Sequence, residues 1–490
     1  MSRLTRRRFV QLAAAGLGAA AGGIHGDFVI AGTKSSRRVI GANDTVRVAV
    51  AGIHGRGGSH IGEYAGMQGV EIAYLVDPDS TLFDPRVKSI EKLAGNRPKC
   101  VSDLRKALDD KHLDAVSIAS PNHWHTLLTI WGCQAGKHVY VEKPCSHTLF
   151  EGRKCVEAAA KYGVVVQHGT QQRSESKRAG EIAALRAGMW GKLLVSKAYV
   201  CKPRWSIGFK PDEAAPATLD FDHWVGPAKM RPFNRNLVHY NWHWNWDFGN
   251  GEIGNQGVHQ CDVAQWSLPA GTTLPTRVWS LGGRFAYQDQ GQTPNTQLAV
   301  YEFGDVTVVI EVRGLVDKGK KPEGDYPVSS KVSNEFYTTE GMVRDGKFYP
   351  KDGRKSHKVV AEKVHVTPGG PFGSFIHCVR NHSPQAVNAP ILNGHYSAAL
   401  CHLGNISYRL GKEVSFSQEP DGMSNPQIAE SFEAIKQNLK AAGVSLDKTN
   451  YRMGRTLTID PKAERFVNDA EADKFLTQTY RAPYVVPEKV

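Results

Sequence analysis

At roughly 100–200 residues per domain, a chain of 490 residues has room for two or three domains and a sizeable buried core. Its 41% hydrophobic, 22% charged and 9% aromatic residues describe a soluble globular protein, and exclude a disulfide miniprotein, a disordered chain and a polytopic membrane protein. The net charge of +13 comes from Lys and Arg scattered along the chain rather than gathered in a block or a basic helix, so no nucleic-acid partner is assigned.

Residues 1–33 read as an export signal. Thr5-Arg6-Arg7-Arg8-Phe9-Val10-Gln11 precedes an uncharged Ala/Gly-rich stretch, Leu12 to Ile24, which is the order of a positive n-region followed by a modest apolar h-region. The stretch is too short and too rich in Gly for a transmembrane anchor. The order Thr-Arg-Arg-x-Phe resembles a twin-arginine signal, which implies passage of the folded protein through the twin-arginine translocation machinery, a periplasmic destination and no membrane span after signal removal. The eight cysteines include no Cys-x-x-Cys pair and no spacing of a zinc site, so neither a disulfide framework nor a metal is expected.

A polar linker, residues 34–44, leads into a first domain expected over residues 45–168. Val46 to Ala51 is a short apolar strand that breaks into Gly52-Ile53-His54-Gly55-Arg56-Gly57-Gly58 and then a helix, the setting in which glycines let backbone N–H groups approach a pyrophosphate. Gly52 and Gly57 fit the pattern G-x-G-x-x-G, while His54 holds the middle position and Gly55 follows it. A second strand, Val70 to Val76, ends at Asp77, an acid suited to the ribose 2′-hydroxyl of NAD and repulsive to the 2′-phosphate of NADP. Further strands at 114–120, 138–141 and 164–167, alternating with helices near 123–135 and 149–161, complete a doubly wound parallel sheet. Pro121-Asn122-His123-Trp124-His125 and Glu142-Lys143-Pro144 fall at strand carboxyl ends, where such sheets bind ligands.

The second domain is expected over residues 169–410, with 411–490 forming a C-terminal helix and tail that pack back on the body. Strand-like runs at Leu193–Val200, Gln297–Phe303, Val306–Val312 and Asn334–Thr339, separated by Gly-rich turns, suit an open antiparallel sheet, which also offers a face for a homo-oligomer contact. Trp205, Trp224, Trp242, Trp244 and Trp246 are interleaved with Asn241, His243, Asn245 and Asp247. Such rings beside amides and carboxylates suit either a carbohydrate, whose C–H faces stack on them, or a core. On one continuous helix Asn255, His259 and Asp262 stand at i, i+4 and i+7 and share a face.

Taken in order, the glycine turn, Asp77, Ser120 to His125, Glu142-Lys143-Pro144 and Gly249 to Asp262 resemble the Gfo/Idh/MocA family, and the likeness runs from about Thr45 to Pro487. The resemblance implies an N-terminal Rossmann domain followed by an α/β domain with a large, mostly antiparallel sheet, and NAD held by Gly52, His54, Gly55, Arg56, Gly57, Asp77, Ser120, Pro121, Asn122, His125, Glu142 and Lys143. It places Lys143 and His259 in catalysis with Asp262 as an orienting or substrate ligand, and Asn255 where many members carry Asp. Trp242, Trp244, Asn245 and Trp246 are the expected carbohydrate contacts. The implied activity is hydride transfer between a sugar, glycoside or cyclitol carbon and a tightly bound nicotinamide. A redox-neutral NAD-dependent glycosidase or epimerase is the alternative within the family, and a non-catalytic binding protein on the same fold is the alternative outside it.

Overall fold

The structure is a computed structural model that describes residues 44–316 and 330–490; the export-signal segment and nearly all of the linker lie outside the described residues. Six short strands, β1 (Val46–Ala51), β2 (Val70–Val76), β3 (Lys99–Val101), β4 (Ala115–Ile118), β5 (His138–Val141) and β6 (Val166–His168), form the first sheet. Their order is β3-β2-β1-β4-β5-β6 and every pairing is parallel, so the sheet has the Rossmann topology. The central strands are runs of Val, Ile and Ala buried on both faces, as parallel strands covered by helices must be. Helix starts and stops follow local chemistry: Thr148 Oγ1 accepts from the Glu151 N–H at the start of Leu149–Tyr162, and Gly163, with φ +62°, ends it.

The second sheet is larger and mostly antiparallel. Strand β7 (Leu193–Cys201) lies at its centre, parallel to Val306–Arg313 on one side and antiparallel to Lys331–Thr338 on the other. Beyond Val306–Arg313 the strands Thr296–Phe303 and Arg277–Gly283 continue antiparallel. Alternate residues face opposite layers: Val308 and Ile310 pack with the helices Gly257–Ser267 and Ile391–Arg409, while Val309 packs with the helix Pro426–Ala441. Among the described residues no helix is long and apolar enough to cross a membrane.

The linear division of the chain is modified at one place. The helix Gly370–Arg380, which the sequence assigns to the second domain, returns to the first sheet and packs Phe372, Phe375, Ile376 and Val379 against Val46, Val48 and Val50 of β1. Phe372 stacks on Tyr140 of β5 at 4.8 Å, and Arg380 donates to the carbonyls of Asp44 (2.6 Å) and Gly69 (2.7 Å) beside the entry to β1. The apolar spacing of this helix is visible in the sequence, but the partner face 320 residues earlier in the chain is not. Phe375→Ala should therefore destabilise the Rossmann sheet itself, by about 3–5 kcal/mol as for a fully buried aromatic. Urea unfolding followed by far-UV circular dichroism checks this, and a loss below about 1 kcal/mol would show that this face is covered some other way.

Candidate active site

A cleft opens at the carboxyl ends of the first sheet, where the strand order reverses between β1 and β4, and its opposite wall comes from residues 223–255. Gly52 leaves β1 with φ +79°, and a Cβ there would stand 2.5 Å from the Ser120 nitrogen, so only glycine lets β1 and β4 end side by side. A Cβ on Gly57 would fall 1.8 Å from the Gly52 carbonyl oxygen, which fixes the helix Gly55–Ala65 close against the turn. His54, in the middle-glycine position, stacks its ring on His239 at 4.5 Å, and its carbonyl accepts from Arg86. Open clearance comes one residue later: a Cβ on Gly55 would meet nothing within 4 Å.

These features fit a dinucleotide. The helix Gly55–Ala65 begins without a side-chain cap and with Gly55 facing free space, as a pyrophosphate requires. Ser120 Oγ is buried at the cleft without a hydrogen-bond partner. Asp77 closes the far end; its carboxylate accepts from the Ile53 N–H (2.9 Å) and the Asp79 N–H (3.0 Å), and retains lone pairs for a ribose hydroxyl. Asp79 accepts from His239 at 2.8 Å. Two acids at the end of β2 disfavour a 2′-phosphate.

The catalytic end of the cleft is organised around Glu142. Arg56 Nε donates to Glu142 Oε1 at 2.7 Å, His60 Nε2 reaches the same oxygen at 3.2 Å, and the Lys143 N–H donates to Oε2 at 3.1 Å. Burial opposes ionisation of Glu142, but the hydrogen bond from His60 and the charge of Arg56 hold its carboxyl well below the usual carboxylate range. Lys143 Nζ donates to the Asn255 carbonyl at 2.9 Å, so it spans from the end of β5 to the second domain. Burial lowers its pKa, with Arg56 and Lys202 acting in the same direction and the carboxylates Glu142 and Glu252 opposing. A lysine so placed can hold and release a proton beside a substrate oxygen. His125 bridges the carbonyls of Ser120 (2.7 Å) and Pro144 (2.6 Å), which ties the loops after β4 and β5 together, and Asn122 Nδ2 donates to Asn250 Oδ1 at 3.2 Å across the domain boundary. Pro121 lines the cleft between them.

The residues expected on one helix face take different partners. The helix assignment lapses for one residue at Gln256, which keeps helical dihedrals (φ −78°, ψ −38°), so Asn255, His259 and Asp262 keep their helical spacing and differ in what they touch. Asn255 lines the cleft. His259 is half-buried, and burial together with the Lys143 charge lowers its pKa to about 3, so it is a neutral imidazole at physiological pH. Asp262 is turned away: both its oxygens accept from Arg173 Nε at 2.9 Å, and Oδ1 also accepts from Ser397 Oγ at 2.6 Å, a fully buried pairing that anchors the helix to its neighbours. The tryptophans divide likewise. Trp242 lines the cleft beside His243 and Tyr240; Trp244 is buried with Arg204 stacked on it at 5.5 Å; Trp246 lines a separate cavity with Arg409. Asn245 Oδ1 is occupied by the Asp247 N–H at 3.0 Å and faces a third cavity. Residues that sequence reasoning passed over are Glu252, Asp79, Lys202 and Arg204. A signal for the first was present, an acid three residues before Asn255 in a glycine-rich run.

One consequence concerns Asp77. Burial raises its pKa to about 6, while the N–H groups of Ile53 and Asp79 pull it down less strongly. Because the folded value lies above the ordinary one, the ionised carboxyl costs the fold stability above pH 6, and its share of stability improves as the pH falls from 6 towards 4. Affinity for the dinucleotide runs the other way, since a protonated Asp77 is a poorer acceptor. We expect binding of NAD to weaken about tenfold between pH 7.5 and pH 5, read by calorimetric titration, and Asp77→Asn to remove that dependence.

Comparison with known proteins agrees with this geometry. The Gfo/Idh/MocA description "Oxidoreductase family, NAD-binding Rossmann fold" matches residues 46–170, and "Oxidoreductase family, C-terminal alpha/beta domain" matches residues 195–311. A glycosyl hydrolase family 109 protein of Shewanella putrefaciens is 30% identical over 230 residues, which cover 42% of this chain and 48% of that one, and a Shewanella baltica counterpart is 30% identical over 229 residues. The chain thus spans about half the length of these curated relatives. Among solved structures, the WlbA dehydrogenase of Bordetella pertussis in complex with NADH and UDP-GlcNAcA is 18% identical with a TM-score of 0.51, covering 74% of this chain and 97% of that one. The aldose-aldose oxidoreductase of Caulobacter crescentus complexed with glycerol is 14% identical with a TM-score of 0.52, covering 85% of this chain and 100% of that one. At these identities the two structures speak for the fold. Both domain descriptions of the Gfo/Idh/MocA oxidoreductases are thus matched in order, and the first domain is an NAD-binding Rossmann fold whose cleft is shaped for that dinucleotide.

Proposed function

We propose that the protein oxidises or reduces a CH–OH carbon of a sugar, glycoside or cyclitol, with Lys143 as the proton carrier, and that it is exported through the twin-arginine route with NAD retained. The observation that carries this reading is the position of Lys143. It stands at the carboxyl end of β5 in the same cleft as the glycine turn and Asp77, with a depressed pKa, facing a wall of Trp242, His243, Tyr240 and Asn255 that can stack on and hydrogen-bond to a carbohydrate.

Bound in the cleft, the nicotinamide supplies the group that accepts or returns a hydride. The chain's part is to position the substrate and manage its proton. In the oxidative direction neutral Lys143 Nζ takes the hydroxyl proton as the carbonyl forms, and in the reductive direction the ammonium returns it. His259, a neutral imidazole, can donate or accept a hydrogen bond on the same oxygen but cannot supply a positive charge near neutral pH. The half-buried setting of Lys143 limits water and strengthens its interaction with a developing alkoxide. Retention of the cofactor follows from the export proposal, because the periplasm holds no nicotinamide pool with which to exchange it.

The likeness to glycosyl hydrolase family 109 proteins favours a second reading, in which the same proton carrier serves a redox-neutral cleavage: with the nicotinamide bound, transient oxidation would acidify a neighbouring C–H, loss of that proton to a base would expel the aglycone, water would add to the unsaturated ketone, and re-reduction would restore the alcohol. Mass spectrometry of ligands released from purified protein, followed by a panel of free sugars and aryl glycosides, separates the two. Stoichiometric NADH from a free sugar supports net oxidation, whereas aglycone release without net NADH supports cleavage. Lys143→Met is expected to lower turnover at least about a thousandfold while bound NAD, measured by absorbance after denaturation, stays at the wild-type level. An unchanged rate would remove Lys143 from the mechanism.

A further inference from the structure

One helical turn before Asn255 the cleft wall carries a buried carboxylate. Glu252 is 2% exposed, lies on the short helix Gly251–Asn255 and belongs to no assigned site. Its Oε2 accepts from Arg204 Nε at 2.7 Å and from Asn255 Nδ2 at 3.2 Å, while its Oε1 is buried without any hydrogen-bond partner. The same Asn255 accepts Lys143 Nζ on its backbone carbonyl at 2.9 Å. One residue therefore joins the carboxylate and the lysine, by its side chain to the first and by its main chain to the second.

A buried carboxylate with one unpaired oxygen is costly to keep, so the arrangement calls for a task. We propose that Glu252 is the positioning residue of Lys143: anchored by Arg204, it orients the Asn255 amide and supplies, from position 252, the negative charge that holds the lysine proton. This rests on Lys143 being the proton carrier.

The surrounding charges give the sign. Around Lys143 stand Glu142 from its own strand end, Arg56 from the start of the helix Gly55–Ala65, Lys202 from the end of β7, Glu252 from the helix Gly251–Asn255, and the imidazoles of His125, His168, His243 and His259. Burial lowers the pKa of all four histidines, and His168, His243 and His259, at about 3, carry no charge near neutral pH. Arg56 is paired with Glu142 and Arg204 with Glu252. Removing the Glu252 charge leaves Arg204 and Lys202 uncompensated on that side, and Lys143 must then release its proton at lower pH. Burial raises the pKa of Glu252 itself, with the charge and hydrogen bond of Arg204 and the hydrogen bond of Asn255 opposing.

The test uses the full chain with NAD bound. Lysines are reductively methylated with carbon-13, the Lys143 resonance is assigned as the one missing from Lys143→Arg, and its midpoint is titrated. We expect Glu252→Gln to lower that midpoint by about one pH unit, Glu252→Asp to hold it near the wild-type value, and Glu252→Gln combined with Asn255→Asp to restore it. A midpoint unmoved by Glu252→Gln overturns the proposal. If Glu252→Gln fails to fold, the midpoint of Glu252→Asp decides, a value displaced by a full unit counting against the proposal. With a substrate in hand, the acidic limb of kcat should move to lower pH in Glu252→Gln, a displacement that a merely structural role would not produce. If the resonance midpoint moves and no sugar or glycoside is turned over by the wild-type chain, the functional reading has failed and the coupling of Glu252 to Lys143 stands.

Discussion

The buried carboxylate of Glu142 is the constraint on which the rest of the cleft depends. It receives Arg56 and His60 from the helix after β1, and the backbone N–H of Lys143 from the end of β5. Those contacts set the distance between the glycine turn of the cleft and Lys143. The chain even passes close behind it: a Cβ on Gly169 would stand 3.0 Å from the Glu142 side chain. His60 is in turn held by Ser117 of β4 at 2.8 Å, so three strands of the first sheet share responsibility for one carboxylate. A buried charge paired and hydrogen-bonded on every side is a poor source of stability but a good source of geometric definition.

Across the cleft the second domain repeats the device with less complete pairing. Glu252 takes Arg204 and Asn255 but leaves an oxygen unpaired, and Lys143 lies between the two acids with a bond to the second domain through Asn255. The lysine is thus one of the points at which the two domains meet, with Asn122–Asn250 and Asp79–His239 among the others. An arrangement that bridges domains ties the protonation of the reacting group to their relative placement.

How much of this was legible in the sequence depended on separation along the chain. The β1–turn–helix unit and Asp77 were readable because strand period, glycine and acid fall within one βαβ unit, where local rules operate. Four strands of the twelve-stranded second sheet were readable to within three residues, whereas Arg277–Gly283, the shorter strands and the parallel pairing of β7 with Val306–Arg313 were not. Asp262 was expected at the site from its helical spacing and the family likeness, and the bond that claims it comes from Arg173, 89 residues away. The tryptophan run could not be divided into core, cleft and separate cavity, since single-residue differences within 242–246 send side chains in different directions. Glu252 was passed over for a related reason: its meaning comes from Arg204 and Lys143, which lie on other elements.

The return of the helix Gly370–Arg380 to the first sheet has a consequence for how the molecule is made. Until that helix is synthesised, the layer over Val46, Val48 and Val50 of β1 consists only of the helices Gly55–Ala65 and Phe83–Ala94, through Ile61, Tyr64, Val87 and Ile90. The Rossmann sheet therefore cannot finish folding as it leaves the ribosome, as an N-terminal domain ordinarily would, and its last layer arrives only after most of the second domain has been built. Contacts of such sequence separation slow folding and lengthen the time during which apolar strands stay open to solvent. The two domains are successive in sequence but simultaneous in assembly, and a chain cut between them would leave the cofactor domain without the part of its outer layer that Phe372, Phe375, Ile376 and Val379 supply.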